Sequence, residues 1–459
     1  MIAGRGRILA VGGALAVVGI AQALFTAGVD PHARCAPDPA IDAALADAGL
    51  DRQERCLTDA TAYHLLGDQL ARDRAYVRPF DRVLLGVDRP TAEYPPAFPT
   101  AIAAADRLGI DSIAGQQLVL GTAMALLTAL AAAELARALG ATTPVTVAAV
   151  VAVGLHPHLL QANALLMTEG MFAALSVFVV LATLHVARRA PGRPSLAGAP
   201  IVLGGLLGIA SLTRGEALVW VPVVALALLV GGRTLGRNAV VTVVAFVAVA
   251  AIVVAPWTLR NRARLDAFVP VSNNIGTVLD GANCNLTYRG ATIGAWRSTF
   301  TPSGPADVAT DRDTPCFEGF LIEDPDFSEA AAANRARHDG IEYALDHVER
   351  WPLVVAARWG RTLGLFNVGQ QVNLEALEGR SRSWQWAGTI VWWVAAPLAA
   401  VAWWQRRRDR ATVVALAVPG VAVLLTTALT YGNQRFRIGL DPIVLVLAVL
   451  GIAANRVRR

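Results

Sequence analysis

Long apolar runs alternate with polar joints along almost the whole chain. Runs of spanning length lie at roughly 8–26, 114–136, 142–160, 166–187, 197–213, 216–232, 238–257, 387–404, 411–430 and 438–454. A bilayer core needs about 20 consecutive apolar residues of helix. The pattern therefore predicts an all-α polytopic membrane protein with about ten transmembrane helices, and the two short runs between 197 and 232 leave nine or eleven as alternatives.

Two long polar segments, 28–113 and 258–385, interrupt this pattern. Apolar residues recur at helical spacing within them, which predicts short interfacial helices at about 60–72, 330–345 and 354–365. The expected organisation is an N-terminal transmembrane module with a catalytic first loop, a loop region, and a C-terminal group of transmembrane helices. Their bounds are 1–257 (with the first loop at 28–113), 258–385 and 386–459.

Composition agrees with a membrane protein and argues against a nucleic-acid partner. Of the 459 residues, 55% are hydrophobic and 16% are charged, and the mean hydropathy is +0.48. The net charge of +5 comes entirely from arginine, since the chain has no lysine. The arginines stand at the joints between apolar runs, where they act as topology signals.

The basic joints predict the orientation of the chain. A short basic start precedes the first run, which is expected to be a retained anchor with its N-terminus in the cytoplasm. If successive spans cross the membrane in alternating directions from this cytoplasmic N-terminus, every connection on the cytoplasmic side is basic, as the positive-inside rule requires. The joints carry Arg137; Arg188, Arg189 and Arg193; Arg233 and Arg237; Arg406, Arg407, Arg408 and Arg410; and Arg456, Arg458 and Arg459. Both long polar segments then face outward from the plasma membrane.

The four cysteines lie in these two outer segments. Cys35 and Cys56 are in the first, and Cys284 and Cys316 are in the second. An even count on one side of the membrane indicates disulfides in an oxidising compartment. Pairing within each segment is the expected arrangement, although the sequence does not decide connectivity and four unpaired thiols are the alternative.

Some arginines stand at outer ends of spans, against the positive-inside rule. Arg214, Arg260, Arg435 and Arg437 fall in outer turns or just after a span. Headgroup contact explains any one of them, but several together match a pocket for an anionic lipid phosphate. Acids at the same level are Asp59, Glu169 and Glu216, and Glu216 has the alternative of simple pairing with Arg214.

Motifs for other chemistries are missing or weak. The sequence has no Walker loop and no HExxH motif. Asp311-Arg-Asp313 resembles a metal–nucleotide motif but falls in an outer segment, where a solvated loop is the favoured interpretation. His156-Pro-His158 lacks a matching ligand cluster, so interface histidines are favoured over a metal site. No cofactor is implied, and a divalent-cation requirement stays open.

An enzyme on the outer face needs an activated donor that crosses the membrane as a lipid, and a polyprenyl-phosphate sugar meets this need. Its phosphate leaves readily once positive charge stabilises it, and a carboxylate takes the proton of the attacking hydroxyl. Asp59 is the predicted base. A single base and direct displacement imply inversion, by analogy with inverting glycosidases.

At this point a family resemblance emerges from motifs in order along the chain. They are Asp59-Ala-Thr-Ala-Tyr63-His64, Tyr94-Pro-Pro-Ala-Phe-Pro99, Met167-Thr-Glu169, Leu212-Thr-Arg214-Gly-Glu216, Ala255-Pro-Trp257-Thr-Leu-Arg260-Asn261 and Tyr431-Gly-Asn-Gln-Arg435-Phe-Arg437. The chain resembles GT-C superfamily glycosyltransferases. The likeness is to family 39, the protein O-mannosyltransferases and aminoarabinose transferases, and to bacterial dolichyl-phosphate-mannose-protein mannosyltransferase-like proteins.

The resemblance implies a GT-C-like fold, a polyprenyl-phosphate sugar donor and a catalytic acid in the first outer loop. Asp59 matches that acid, and Ala60 stands where many members have Glu. The resemblance further implies donor binding near Arg260 and Arg437. The acceptor is an extracytoplasmic protein, lipid or glycan. Further substrate-site candidates are Tyr63, His64, Glu93, Tyr94, Glu169, Glu216 and Asn261.

Two other functions fit parts of the pattern. A transporter or flippase of polyprenyl-linked sugars needs the same phosphate-binding arginines but no base, and it would carry polar residues through its spans. The spans here are almost entirely Ala, Val, Leu and Gly, with charge at their ends, which favours interfacial catalysis. A non-catalytic envelope scaffold would leave Asp59 replaceable.

Overall fold

The computed structural model describes residues 2–29, 58–188, 198–231, 237–297, 316 and 327–457. Within these ranges the chain is almost entirely helical, and an isolated antiparallel bridge joins Val77 to Pro90. The helices are α1 (Ile2–Ala27), α2 (Asp59–Arg72), α3 (Pro79–Leu85), α4 (Ala97–Arg107), α5 (Ile113–Ala138), α6 (Thr143–Gly154), α7 (Pro157–Ala164), α8 (Glu169–Ala187), α9 (Gly198–Thr213), α10 (Ala217–Gly231), α11 (Arg237–Leu265), α12 (Ile275–Ala282), α13 (Asn285–Tyr288), α14 (Glu329–Asp346), α15 (Trp351–Thr362), α16 (Val368–Leu377), α17 (Arg382–Gln405), α18 (Arg410–Leu429) and α19 (Asp441–Val457).

Among the described residues, six helices are long and apolar enough to cross a membrane: α1, α5, α8, α11, α17 and α18. The pair α6 and α7 passes the same test together and is bent by 54°, while α9, α10 and α19 are shorter apolar helices. These segments fall on the ten apolar runs of the sequence, so the helical content agrees with the prediction and the span count is roughly compatible with it.

The outer faces of the spans are apolar, as lipid contact requires. Only 22% of the most apolar window of α11 is buried, and Val244 and Ile252 on this helix are 61% and 68% exposed. A helix that leaves such side chains uncovered needs hydrocarbon around it. The protein is therefore a multi-pass membrane protein.

Close helix contacts inside the bundle depend on small residues. A Cβ added at Gly204 of α9 would lie 2.4 Å from the backbone oxygen of Phe246 on α11, and one at Gly208 would lie 2.6 Å from Cβ of Val253. Glycine at both positions lets the two backbones approach, as is typical of helix pairs in membranes.

Proline accounts for the bend between α6 and α7. His156 precedes Pro157 and is extended, with φ −65° and ψ 126°, because the proline ring disfavours helical geometry in the residue before it. Pro157 then opens α7, a position that lacks an intrahelical N–H partner in any case. The bend places His156 and His158 inside the bundle, where both are buried.

The two polar segments form short helices that pack together. The predicted helices at 60–72, 330–345 and 354–365 correspond to α2, α14 and α15, whereas α3, α4, α12, α13 and α16 were not predicted. Glu329, at the first position of α14, joins the segments. Its buried carboxylate accepts hydrogen bonds from Thr91 Oγ1 at 2.6 Å, Ala92 N at 2.8 Å, Asn273 Nδ2 at 2.7 Å and Arg78 at 3.2 Å.

Cys284 and Cys316 are joined by a disulfide, which confirms the pairing expected within the second segment. The bond ties the start of α13 to residue 316, thirty-two positions further along the chain. Cys35 and Cys56 lie outside the described residues.

Candidate functional site

Asp59 is the first residue of α2, at one end of the helical bundle. Its side chain is 37% exposed. Tyr94 donates its hydroxyl to Oδ1 at 3.1 Å, and the Arg435 guanidinium lies 3.6 Å from Oδ2. The positive end of the α2 dipole adds to the stabilisation of the carboxylate anion. Asp59 is thus held in place while its carboxylate stays within reach of a substrate.

The ring of Tyr63 packs against the ring of Tyr94, the residue that donates to Asp59. It meets the Tyr94 ring edge-to-face with centroids 4.9 Å apart, and it meets the Phe98 ring in the same way at 5.4 Å. Aromatic pairs prefer this geometry. Tyr63 therefore orients the residue that donates to Asp59.

Glu169 forms ion pairs with three arginines that come from three different parts of the chain. Its Oε1 atom lies 2.8 Å from the guanidinium of Arg435, 3.1 Å from that of Arg380 and 3.2 Å from that of Arg214. Glu169 is fully buried, and its Oε2 atom has no hydrogen-bond partner. Buried cations need such a counter-charge, because desolvation otherwise makes them costly.

Further acids complete what we call the acid–arginine network: Asp59, Glu169, Arg214, Glu216, Glu375, Arg380 and Arg435. Arg214 pairs with Glu216 at 3.2 Å, and Arg380 pairs with Glu375 at 2.9 Å. Acids and arginines alternate through the network, and Asp59 lies at its exposed edge. Asp59 has the most exposed side chain of the seven, so a substrate reaches the network most readily there.

The network also shows that the predicted outer joints meet at one end of the bundle. It brings together the start of α8, the turn between α9 and α10, the segment before α17 and the turn between α18 and α19. At the opposite end, Arg188 donates to the backbone oxygen of Ala138 at 2.8 Å and lies 3.5 Å from Asp409. Among the described residues, several joints predicted to share a side therefore lie together, at each end of the bundle.

Two carboxyl groups beside the network hold protons more tightly than usual. Burial raises the pKa of Glu378 to about 7, and the charge of Asp59 adds to this effect against the pull of Arg435. Burial likewise raises the pKa of Glu93 to about 7, with Glu329 and Asp59 adding to it and Arg78 opposing it. Near neutral pH both groups are partly protonated, which lowers the negative charge around Asp59.

The raised pKa of Glu378 predicts a pH-dependent difference in stability. A carboxyl whose pKa is about 7 when folded and 4.5 as a model compound binds its proton better in the folded state. The favourable contribution of this protonated carboxyl to folding stability is fully present below pH 4.5 and is lost as the pH rises through about 7. We therefore expect Glu378→Gln to gain thermal stability relative to the wild type as the pH rises from about 5 to about 7.

Thermal unfolding of the purified protein across this pH range measures the difference. The matched control is Glu349→Gln, because Glu349 is exposed on the connection between α14 and α15. A difference between Glu378→Gln and wild type that does not change with pH would contradict the assignment.

Arg260 lies away from the network and holds the first polar segment in place. Its guanidinium donates to the backbone oxygens of Thr91 and Tyr76, each at 2.6 Å, and stacks over the Trp257 ring at 4.8 Å. The neighbouring Asn261 donates to the backbone oxygen of Val269 at 3.0 Å. Arg260 therefore braces the loop that carries Glu93 and Tyr94, while Asn261 accepts a hydrogen bond from Arg260 at 3.1 Å and ties the segment after α11 back to that helix.

Arg437 lies inside the bundle and is fully buried. It donates to Asp441 at 3.1 Å and the Thr362 backbone oxygen at 3.2 Å, with His158 Nδ1 also at 3.2 Å. His156, His158 and Asp441 are spaced closely enough to hold a metal ion. The Arg437 guanidinium nevertheless occupies the position next to His158 Nδ1 and Asp441, so the geometry favours an ion pair there over a cation site.

His64 serves packing at this point of the fold. The buried His64 ring lies 2.8 Å from Gln116 Oε1 through its Nδ1 atom, which links α2 to α5. This contact fixes the position of α2 relative to α5, and therefore also the position of Asp59 at the start of α2.

Sequence reasoning did not single out Arg380, Glu375 or Glu378. Arg380 and Arg382 stand just before an apolar run at its outer end, which is the same break in the positive-inside rule that drew attention to Arg260. The two glutamates carry no such signal, because they lie on or just after α16, a short helix within a polar segment.

The fold and site together describe a multi-pass, all-α membrane protein with charged groups concentrated at one end of its bundle. No protein-family model matches the chain, and no curated protein matches it. Several solved structures do match the chain. The oligosaccharyltransferase of Archaeoglobus fulgidus in complex with zinc and sulfate matches with a TM-score of 0.49 and 13% identity over 87% of this chain and 45% of that chain.

Another of these structures is the archaeal oligosaccharyltransferase AglB from Archaeoglobus fulgidus, in complex with an inhibitory peptide and a dolichol-phosphate. It matches with a TM-score of 0.47 and 12% identity over 97% of this chain and 50% of that chain. The apo form of the enzyme matches with a TM-score of 0.49 and 12% identity, over 97% of this chain and 51% of that chain. The chain thus spans about half the length of the structures it resembles, and their ligands are properties of those proteins.

Proposed function

We propose that the protein is a membrane glycosyltransferase that moves a sugar from a polyprenyl-phosphate donor to an acceptor hydroxyl on the extracytoplasmic face. The observation that carries this proposal is the position of Asp59. A half-exposed carboxylate stands at the edge of a buried set of three arginines, at one end of a membrane bundle. A base and a phosphate-binding group are the two parts that such a transfer needs.

In this mechanism Asp59 accepts the proton of the acceptor hydroxyl as its oxygen attacks the anomeric carbon. The bond from that carbon to the phosphate oxygen breaks, and polyprenyl phosphate leaves with the electron pair. Tyr94 keeps the carboxylate oriented through its hydrogen bond to Oδ1. Direct attack from the face opposite the phosphate inverts the anomeric configuration.

Arg435 and Arg214 are the proposed phosphate-binding arginines, together with Arg380. Each already contacts Glu169, so the donor phosphate shares guanidinium N–H groups with that carboxylate. Arginine suits this because its planar fork offers five donors. A protonated Glu378 adds a donor and reduces repulsion of the incoming anion.

Arg260 and Arg437, which the sequence also put forward for the phosphate, have the supporting contacts described above. We propose that they position the site: Arg260 through the loop before Tyr94, and Arg437 through the start of α19. Their substitution is then expected to act through the placement of Tyr94 and Arg435.

The family 39 branch, the sugar and the acceptor belong to this proposal as expectations from the sequence. The test is to incubate purified protein in nanodiscs with a panel of polyprenyl-phosphate sugars and hydroxyl-bearing acceptors. Mass spectrometry is expected to find one donor that yields a glycosylated acceptor together with free polyprenyl phosphate. Movement of the lipid-linked sugar between leaflets without any cleavage would instead identify a flippase.

A further inference from the structure

The end of the bundle opposite Asp59 carries a group of arginines that the mechanism described above does not use. Arg188 directly follows α8, and its guanidinium donates to Thr412 Oγ1 on α18 at 2.7 Å. This hydrogen bond brings Arg188 to the turn that joins α17 to α18. We call the resulting group the basic cluster; its members are Arg188, Arg406, Arg407, Arg408 and Arg410.

Asp409 is the only acid in the sequence of this turn, and its carboxylate is already engaged. It accepts hydrogen bonds from the hydroxyl of Thr412 at 2.5 Å and from the backbone N–H of Thr412 at 3.4 Å, which cap the start of α18. It also lies 3.5 Å from the guanidinium of Arg188. One carboxylate cannot neutralise five guanidinium groups, so the basic cluster keeps an excess of positive charge.

Arg406 shows where this excess charge is least compensated. Its side chain is half-buried and donates to the backbone oxygen of Ala402 at 2.7 Å. Burial lowers the pKa of Arg406, and the nearby charge of Arg188 lowers it further, with no carboxylate of the described residues offsetting the effect. Two guanidinium groups that repel each other are stabilised by an anion that contacts both, and a phosphate suits the planar donor fork of arginine.

Aromatic residues place the basic cluster at the level of the lipid headgroups. Trp403 donates its indole N–H to the backbone oxygen of Val413 at 3.1 Å, which joins the ends of α17 and α18. Trp404 is 59% exposed, and the Arg407 guanidinium stacks over its ring at 5.2 Å. Tryptophan is enriched where a span leaves the hydrocarbon. Val401, about one turn deeper in the membrane, is exposed as well, so an apolar surface lies directly below the arginines.

We propose that the basic cluster binds the headgroup of an anionic phospholipid, with its phosphate between Arg188 and Arg406 and its acyl chains along the exposed face of α17 at Val401 and Trp404. The basic joints of the sequence predict that this end is cytoplasmic, and the cytoplasmic leaflet carries the negative surface potential that attracts such arginines. This lipid is a partner of the fold, at the opposite end of the bundle from the proposed sugar donor.

Native mass spectrometry of the purified protein in a neutral detergent tests the site. The protein is titrated with phosphatidylglycerol and, separately, with phosphatidylcholine of the same acyl chains. We expect phosphatidylglycerol to bind at least tenfold more tightly. Each basic residue near an anionic lipid contributes about a fivefold gain in affinity, so Arg406→Gln is expected to weaken phosphatidylglycerol binding about fivefold. Equal affinities for the two lipids would overturn the proposal.

Arg408→Gln guards against a folding defect in the first variant. Arg408 is exposed and forms no hydrogen bond or ion pair within the described part of the chain, so its replacement leaves the fold intact. It is expected to weaken phosphatidylglycerol binding at least twofold. Unchanged affinity in both Arg406→Gln and Arg408→Gln would overturn the proposal.

Arg137→Gln is the matched control, because it removes the same charge from the same end of the bundle. Arg137 is paired with Glu134 at 2.5 Å, outside the basic cluster, and its replacement is expected to change the affinity less than twofold. If Arg137→Gln weakens phosphatidylglycerol binding as much as Arg406→Gln does, the lipid is attracted by the whole surface and the proposed site is wrong.

A phosphatidylglycerol that carries a diazirine near its headgroup locates the bound lipid. Crosslinks are expected within residues 401–412, and Arg406→Gln is expected to reduce them. Crosslinks confined to other helices would contradict the site. Displacement of the lipid by millimolar inorganic phosphate, at an ionic strength held constant with chloride, would identify a site for free phosphate instead. Neither readout involves sugar transfer, so these results are independent of the proposed function.

Discussion

Replacing Asp59 with Asn is expected to lower the rate of sugar transfer by about 10²–10⁴-fold, the usual contribution of a general base. The amide oxygen of Asn can still accept the hydrogen bond from Tyr94, so the loop geometry is expected to survive. Asn cannot take the proton of the acceptor hydroxyl. The loss should therefore appear in kcat, while donor binding changes little because the arginines stay in place.

The matched control is Asp68→Asn on the same helix. Asp68 forms a partly exposed ion pair with Arg72 at 2.6 Å and lies more than two turns from Asp59, so transfer is expected to change less than twofold. Initial rates of polyprenyl phosphate release at saturating donor, with donor affinity measured separately, compare the two variants. A transfer rate for Asp59→Asn equal to that of Asp68→Asn would rule out Asp59 as the base.

Glu169→Gln is expected to have the largest effect on stability. The substitution keeps the shape of the side chain but removes the negative charge that three buried guanidinium groups share. Breaking a buried ion pair on one side typically costs about 3–5 kcal/mol, because the remaining charge has lost its partner. We therefore expect a large fall in the thermal unfolding temperature of the purified protein.

Glu134→Gln provides the comparison for this stability effect. Glu134 pairs with Arg137 at 2.5 Å on the surface of α5, and both side chains are nearly half exposed. Exposed pairs of this kind contribute about 0–1 kcal/mol. Equal unfolding temperatures for the two variants would show that Glu169 does not hold the network together.

Much of the fold follows from the sequence because the bilayer imposes a length and an apolar composition on each span. The ten apolar runs have corresponding helices, and the joints predicted to share a side do meet, as Arg188 and Asp409 show at one end. The short helices α3, α4 and α12 escaped prediction, since polar segments of this kind contain no long periodic stretch. Their positions depend on tertiary contacts such as those of Glu329.

The candidate site could be predicted only in part. Glu169, Arg214 and Arg435 were singled out from their places at the ends of apolar runs, and Asp59 from its place in the first polar segment. The structure brings these four together. The sequence could not reveal that Glu169 is the common partner of the arginines, because residues 169, 214 and 435 meet only through folding. It also grouped Arg260 and Arg437 with them, although these two bind backbone oxygens, Asp441 and His158 elsewhere.

The anomeric configuration of the product tests the central claim most directly, since that claim is direct displacement with Asp59 as the base. Nuclear magnetic resonance of the glycosylated acceptor, formed from a donor of known anomeric configuration, gives this answer in one experiment. A base-assisted direct attack predicts a product of opposite configuration to the donor. A product of the same configuration would contradict direct attack from the face opposite the phosphate, and with it the role assigned to Asp59.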